Sequence, residues 1–106
     1  MALDFHIGHD LAQSFPPPVL QLSPDEHEAI YDAFGGSVVT PQLAAMRDYY
    51  ADADYSGEAL QQLIHELHSI ATSSSASHLA RDVATRIHSA AEQAFSAHQT
   101  LYAVAD

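Results

Sequence analysis

The chain has no lysine and no cysteine, and only three arginines accompany its 14 aspartates and glutamates. Its formal net charge at pH 7 is -11 with histidine counted as neutral. Nucleic acids and anionic lipid surfaces are bound by Lys and Arg side chains that neutralise phosphate, so we expect neither as a partner. The absence of cysteine excludes disulfides, thiol nucleophiles and Cys-based zinc sites.

The chain also lacks a long hydrophobic run. No segment approaches the ~20 apolar residues that span a bilayer, and the first residues lack the basic and apolar regions of a secretory signal. These absences favour a cytoplasmic protein. The hydrophobic fraction of 47% is ordinary for a globular protein, and residues 1–106 are enough for a single domain with one core.

Motifs of the common enzyme classes are missing as well. The chain contains no Gly-x-Ser-x-Gly nucleophile elbow, and its Gly35-Gly36 pair lacks the Gly-Lys-Ser/Thr ending of a phosphate-binding loop. The composition and these absences together favour a protein without catalytic activity.

Hydrophobic periodicity predicts an extended N-terminal segment, residues 1–22, followed by helices. Apolar side chains alternate with polar ones from Leu3 to Ile7, as in a half-buried strand. Ser23 and Glu26 form the capping-box pattern of a helix start, with Pro24 at the first helical position. The predicted helices comprise residues 23–35, 41–52, 57–71 and 78–99.

The C-terminal residues 100–106 either extend the last helix or return as a strand beside residues 3–7. We favour a helix end near residue 99, because the Asp106 carboxylates would oppose the helix dipole. The last helix has a wide apolar arc, which predicts either the central helix of a bundle or one half of a homodimer interface. The expected fold class is therefore mainly α: a single bundle of about four helices.

Tyrosine and aspartate are interleaved before the third predicted helix, at Tyr49, Tyr50, Asp52, Asp54 and Tyr55. Tyrosine is enriched at the cores of protein interfaces, and carboxylates attract cationic surfaces. These five residues are therefore predicted to contact a basic protein partner. In the alternative interpretation, Tyr50 enters the core while Tyr49 and Tyr55 lie partly exposed over a turn.

Eight histidines are the second unusual feature of the composition. His65 and His68 are three residues apart on the third predicted helix, whereas the metalloprotease motif needs a spacing of four. His6 and His9 form a second pair near the N-terminus. If the two pairs met, four imidazoles would suit zinc or nickel. In the alternative interpretation both pairs are unligated, and Glu66 is solvated beside His65 and His68.

Four segments of the chain carry a resemblance to known proteins. They are Leu3–Gly8, Asp48–Tyr50, Glu58–Leu67 and Val104–Asp106. Together they resemble a group of small, uncharacterised bacterial proteins, some of which are similar to immunity proteins of contact-dependent toxin systems. The resemblance implies a helical domain and transfers no functional residue.

Two functions are expected from these patterns. The first is a non-enzymatic acidic interaction module, an inhibitor or immunity-like protein that binds a basic protein through electrostatic steering and tyrosine contacts. The alternative is a histidine-rich protein that binds a transition metal.

Overall fold

The computed structural model describes residues 3–8, 17–32, 41–44 and 52–105. These residues form four strands: β1 (Leu3–Gly8), β2 (Leu20–Leu22), β3 (Ala53–Tyr55) and β4 (Thr100–Ala105). They also form four helices: α1 (Pro24–Asp32), α2 (Pro41–Ala44), α3 (Gly57–Ala71) and α4 (His78–Ser96). The strands make one antiparallel sheet in the order β2-β1-β4-β3. The fold is therefore α/β, and the prediction of a mainly α, all-alpha bundle is wrong.

The sheet is built around the two ends of the chain. Strand β1 pairs along its whole length with β4, with Leu3 opposite Ala105 and Gly8 opposite Thr100. The pairing of the N-terminal segment with the C-terminal tail, left open by the sequence, is thus present. Strands β2 and β3 lie outside β1 and β4 and have only three residues each. The predicted helix over residues 41–52 is described only at Pro41–Ala44, and the chain is already extended at Ala53.

The helices cover the apolar face of the sheet. Leu3 and Phe5 of β1 and Leu101 and Ala103 of β4 are almost fully buried in the same core as α3 and α4. Alternation along a strand puts these side chains on one face and their neighbours on the other.

Helix α4 is the central helix, because it contacts α3, α1, β1, β2 and β4. Its buried positions are mostly alanine, which lets neighbouring helices approach closely. The buried residues of α4 are Ala80, Val83, Ala84, Ile87, Ala90, Ala91 and Ala94. These seven residues are covered within one chain, whereas Leu79 and Phe95 of the same helix are 43% and 42% exposed. A homodimer interface through this helix stays a prediction.

The turn from α4 into β4 is a Schellman motif. The N–H of Gln99 donates to the carbonyl oxygen of Ala94 at 2.9 Å, and that of His98 to Phe95 at 3.1 Å. The motif needs a left-handed residue at the position of His98, whose φ is 56°. The turn ends α4 near residue 97 and aims the chain back along the sheet. No helix among the described residues is long and apolar enough to span a bilayer.

Candidate functional site

The face of the sheet turned away from the helices carries polar side chains. The register places Asp54, Tyr102 and His6 in one row across β3, β4 and β1. Asp4 lies two residues before His6, and Asp52 lies two residues before Asp54. Side chains two residues apart point to the same side of a strand, so Asp4 and Asp52 lie on the same side of the sheet as this row. We call Asp4, His6, Asp52, Asp54 and Tyr102 the outer sheet face.

Hydrogen bonds fix two of the three carboxylates on the outer sheet face. The amide of Gln21 on β2 donates to Asp4 Oδ1 at 2.9 Å. The backbone N–H of Ala105 donates to Asp52 Oδ1 at 2.8 Å. Asp54 is exposed. Strands β1 and β3 are two strand spacings apart, so the three carboxylates lie across about 10 Å of sheet.

The described arginines lie on the other layer of the fold, and Arg86 is neutralised there. Its guanidinium forms an ion pair with Glu26 of α1 and another with Asp82, one turn earlier on α4, at 3.2 Å. The pKa of Glu26 is held below its ordinary value, first by the hydrogen bond from the Ser23 N–H and then by Arg86. Arg81 also belongs to α4, so neither described arginine offsets the carboxylates of the outer sheet face.

The predicted partner-binding residues separate in the structure. Asp52 and Asp54 belong to the outer sheet face, whereas Tyr49 and Tyr50 lie outside the described residues. Tyr55 is 1% exposed and lies in the core, so it is unavailable to a partner. The physical reason is the two-residue period of β3, which turns Tyr55 inward when Asp54 points outward.

A buried carboxylate lies beneath the start of α2. Glu66 is 2% exposed and accepts hydrogen bonds from the backbone N–H groups of Gln42 at 3.2 Å and Leu43 at 2.9 Å. Pro41 has no N–H, so these two groups are the first donors of the helix. The carboxylate therefore occupies the electropositive end of α2, where a negative charge is favourable. The expectation of a solvated Glu66 is wrong.

Two tyrosines complete this arrangement, which we call the α2-anchoring cluster: Glu66, Tyr55 and Tyr31. The hydroxyl of Tyr55 donates to the carbonyl oxygen of Gln42 at 2.6 Å, and that of Tyr31 donates to Leu43 at 2.5 Å. Burial, then the charges of Glu66 and Asp54, raise the pKa of Tyr55 above its ordinary range. Side chains from α1, β3 and α3 thus hold α2 in place through hydrogen bonds to its backbone.

The predicted metal ligands lie on different parts of the fold. His6 is on the outer sheet face but is only 2% exposed, so its side chain, like that of Tyr55, is unavailable to a partner. His65 and His68 are exposed on α3, across the sheet from His6. His9 lies outside the described residues. Within those residues, no three His, Asp or Glu side chains are grouped so that they could hold a metal ion.

Comparison of the chain with protein-family models, curated proteins and solved structures finds no match. A functional assignment therefore depends on the charges and contacts of the described residues.

One of several clefts among the described residues lies between the start of α3 and the end of α4. It has a volume of about 200 Å³ and is lined by Ser56, Gly57, Leu60, Phe95, His98, Gln99 and Thr100. Small-molecule sites typically have volumes of about 300–1,000 Å³, so this cleft is small for a substrate.

Tyr102 is the site residue that sequence reasoning missed. It is half-buried at the centre of the outer sheet face, between Asp54 and His6. The sequence does carry a signal for it, because the apolar Leu101 and Ala103 flank Tyr102 in the alternating pattern of a half-buried strand. If residues 100–105 are interpreted as a strand, the alternation places Tyr102 on the sheet face that points away from the core.

Proposed function

We propose that this protein is a non-enzymatic acidic interaction module that binds a basic protein through the outer sheet face, as an inhibitor or immunity protein does. One observation carries the proposal. Three carboxylates share a sheet face, while Arg81 and Arg86 belong to a helix on the opposite layer. These three carboxylates are therefore not offset by a described arginine on their own face.

Such a surface would act first on the rate of association. Summed charges of one sign attract an oppositely charged partner over distances beyond contact and raise the encounter rate by roughly 10- to 1,000-fold. The net charge of -11 supplies the long-range field, and Asp4, Asp52 and Asp54 give it a direction. The hydrogen bonds to Asp4 and Asp52 hold these carboxylates in place before binding.

Tyr102 would supply short-range affinity on the same surface. Tyrosine is among the residues most often found at the energetic centre of interfaces, and Tyr102 is flanked by Asp54 and His6 in its row. A basic side chain of the partner could contact the ring of Tyr102 and the Asp54 carboxylate together. Tyr49 and Tyr50 stay predicted contacts, and a cytoplasmic location is part of the proposal.

Association kinetics across a salt series test the proposal. The partners are small basic proteins, beginning with those encoded by adjoining genes. The double variant Asp4→Asn/Asp54→Asn removes two charges from the outer sheet face. Its matched control, Asp25→Asn/Glu28→Gln, removes two exposed charges from α1.

We expect the sheet-face variant to slow association by roughly 3- to 10-fold at low salt, and the difference to shrink as salt screens the field. The control should slow association much less. Tyr102→Ala should mainly increase the dissociation rate, because it removes contact area. Equal effects of the two charge variants, or an association rate that does not respond to salt, would contradict the proposal.

A further inference from the structure

Two imidazoles meet across the packed pair of helices α3 and α4. The ring of His68 on α3 and that of His88 on α4 have centroids 6.0 Å apart, with planes tilted by 43°. His68 is exposed and His88 is partly exposed, so solvent ions can reach both rings. The next turn of α4 supplies a carboxylate, because Glu92 Oε1 lies 3.0 Å from His88 Nδ1.

We propose that His68 and His88 form a two-imidazole site for a divalent transition metal such as Zn²⁺ or Ni²⁺, with water as the remaining ligands. A metal bound to one nitrogen of a ring lies about 3.2 Å from its centroid, given a metal–nitrogen bond of about 2.1 Å. Two rings on one metal therefore have centroids about 6.4 Å apart when they lie opposite each other, and about 5.2 Å apart at the tetrahedral angle that zinc prefers. The observed separation of 6.0 Å lies between these values, so a rotation of the exposed His68 side chain that brings its ring about 1 Å closer to His88 gives the tetrahedral arrangement.

Glu92 would orient His88 for this role. In the neutral imidazole, the N–H group at Nδ1 of His88 donates a hydrogen bond to Glu92 Oε1, and Nε2 is then unprotonated and able to coordinate. Histidines that bind metals commonly donate their second ring nitrogen to a carboxylate in this way. The negative charge of Glu92 also favours a bound cation.

The site differs from the one predicted from the sequence. It shares only His68 with the set His6, His9, His65 and His68, and it joins two helices instead of two pairs of neighbouring residues. With two protein ligands it falls short of the four of a structural zinc site. We therefore expect micromolar affinity, one ion per chain, and an increase in the melting temperature, since the ion links two packed elements.

Calorimetric titration of the tag-free protein with Zn²⁺ and Ni²⁺ tests the inference. His68→Ala and His88→Ala should each weaken binding at least about 10-fold, and Glu92→Gln should weaken it by about 10-fold. His65→Ala and His78→Ala are the controls, and both should bind as the unmodified protein does. Selective broadening of the His68 and His88 imidazole signals by Ni²⁺ in NMR spectra would locate the ion.

Three results would overturn the inference. One is the absence of heat and of any melting-temperature shift at micromolar metal. Another is binding that persists in both His68→Ala and His88→Ala, which would locate the ion elsewhere. The third is a loss in His65→Ala as large as in His88→Ala, which would assign the ion to the pair within α3. The substituted side chains are on the helix surface, so circular dichroism should show an unchanged fold.

Discussion

Replacing Glu66 tests the α2-anchoring cluster, which fixes the relation between α2 and the rest of the fold. Its carboxylate accepts the N–H groups of Gln42 and Leu43 in a buried setting. Glu66→Ala leaves both donors without an acceptor and opens a cavity. Glu66→Gln has nearly the same shape and keeps one acceptor oxygen, but it turns an NH₂ group toward a backbone N–H.

The expected losses follow from the number of hydrogen bonds removed. A hydrogen bond to a charged group contributes about 1.5–3 kcal/mol, and a buried donor left unpaired costs a similar amount. Glu66→Gln should therefore lower the free energy of unfolding by about 1.5–3 kcal/mol, and Glu66→Ala by about 3–5 kcal/mol. Small domains have total stabilities of roughly 5–15 kcal/mol, so the alanine variant should lose between about a fifth and all of the total stability.

Urea denaturation followed by circular dichroism measures these losses as shifts of the midpoint. The matched control is Glu58→Gln, an exposed glutamate in the first turn of the same helix. Its loss should stay below about 1 kcal/mol, the usual size of a charge–dipole effect at a helix end. A loss in Glu66→Gln no larger than that in Glu58→Gln would refute the buried role of the carboxylate.

Three further predictions concern single side chains. Burial, then the charges of Glu66 and Asp54, raise the pKa of Tyr55 above 10.0. The stability that the protonated hydroxyl of Tyr55 contributes should therefore be fully present below about pH 10 and be lost as pH rises through the folded-state pKa. Urea denaturation of Tyr55→Phe at a series of pH values should not show this loss. Ser77 accepts the Ala80 N–H at 3.1 Å, whereas Ser56 makes no side-chain capping bond, so thermal melts should show that Ser77→Ala costs about 1 kcal/mol and Ser56→Ala only a few tenths. His98 occupies a left-handed position that suits glycine, so His98→Gly should raise the free energy of unfolding by roughly 0.5–1 kcal/mol, and a decrease would contradict the turn geometry.

Local signals in the sequence were sufficient for α1, α3 and α4, whereas the predicted helix over residues 41–52 is described as helical only at Pro41–Ala44. The capping box of α1 is present, with the Ser23 N–H donating to Glu26 Oε1 at 3.0 Å and the Glu26 N–H donating to Ser23 Oγ at 3.2 Å. Helix α3 covers the range that its apolar stripe indicated. A helix encodes its contacts within a few residues, so caps and periodicity are visible in a single sequence.

The sequence carries a much weaker signal for the sheet than for the helices. Strands β2 and β3 have three residues each, too few for alternation to be distinguished from chance. The pairing of Leu3 with Ala105 joins residues about a hundred positions apart, and nothing local specifies such a partner. The sequence therefore predicts a mainly α fold where the structure is α/β, although the helical segments themselves are recognisable.

The candidate site was predictable in part for the same reason. The acidic character of Asp52 and Asp54 is a property of the residues themselves, whereas the direction of each side chain depends on β3. Tyr55 was assigned to the surface because its segment was interpreted as a turn. Glu66 lies at the edge of the apolar stripe of α3, three residues after Leu63 and four before Ile70. Its hydrogen bonds to α2 compensate for the burial of its carboxylate.

The binding footprint of the outer sheet face tests the central claim most directly. Amide chemical shifts of the isotopically labelled protein, followed during titration with a basic partner, report which surface is covered. We predict the largest changes at Asp4, Asp54 and Tyr102, and small changes along the exposed side of α4. A footprint centred on α4, with the three sheet residues unchanged, would contradict the claim.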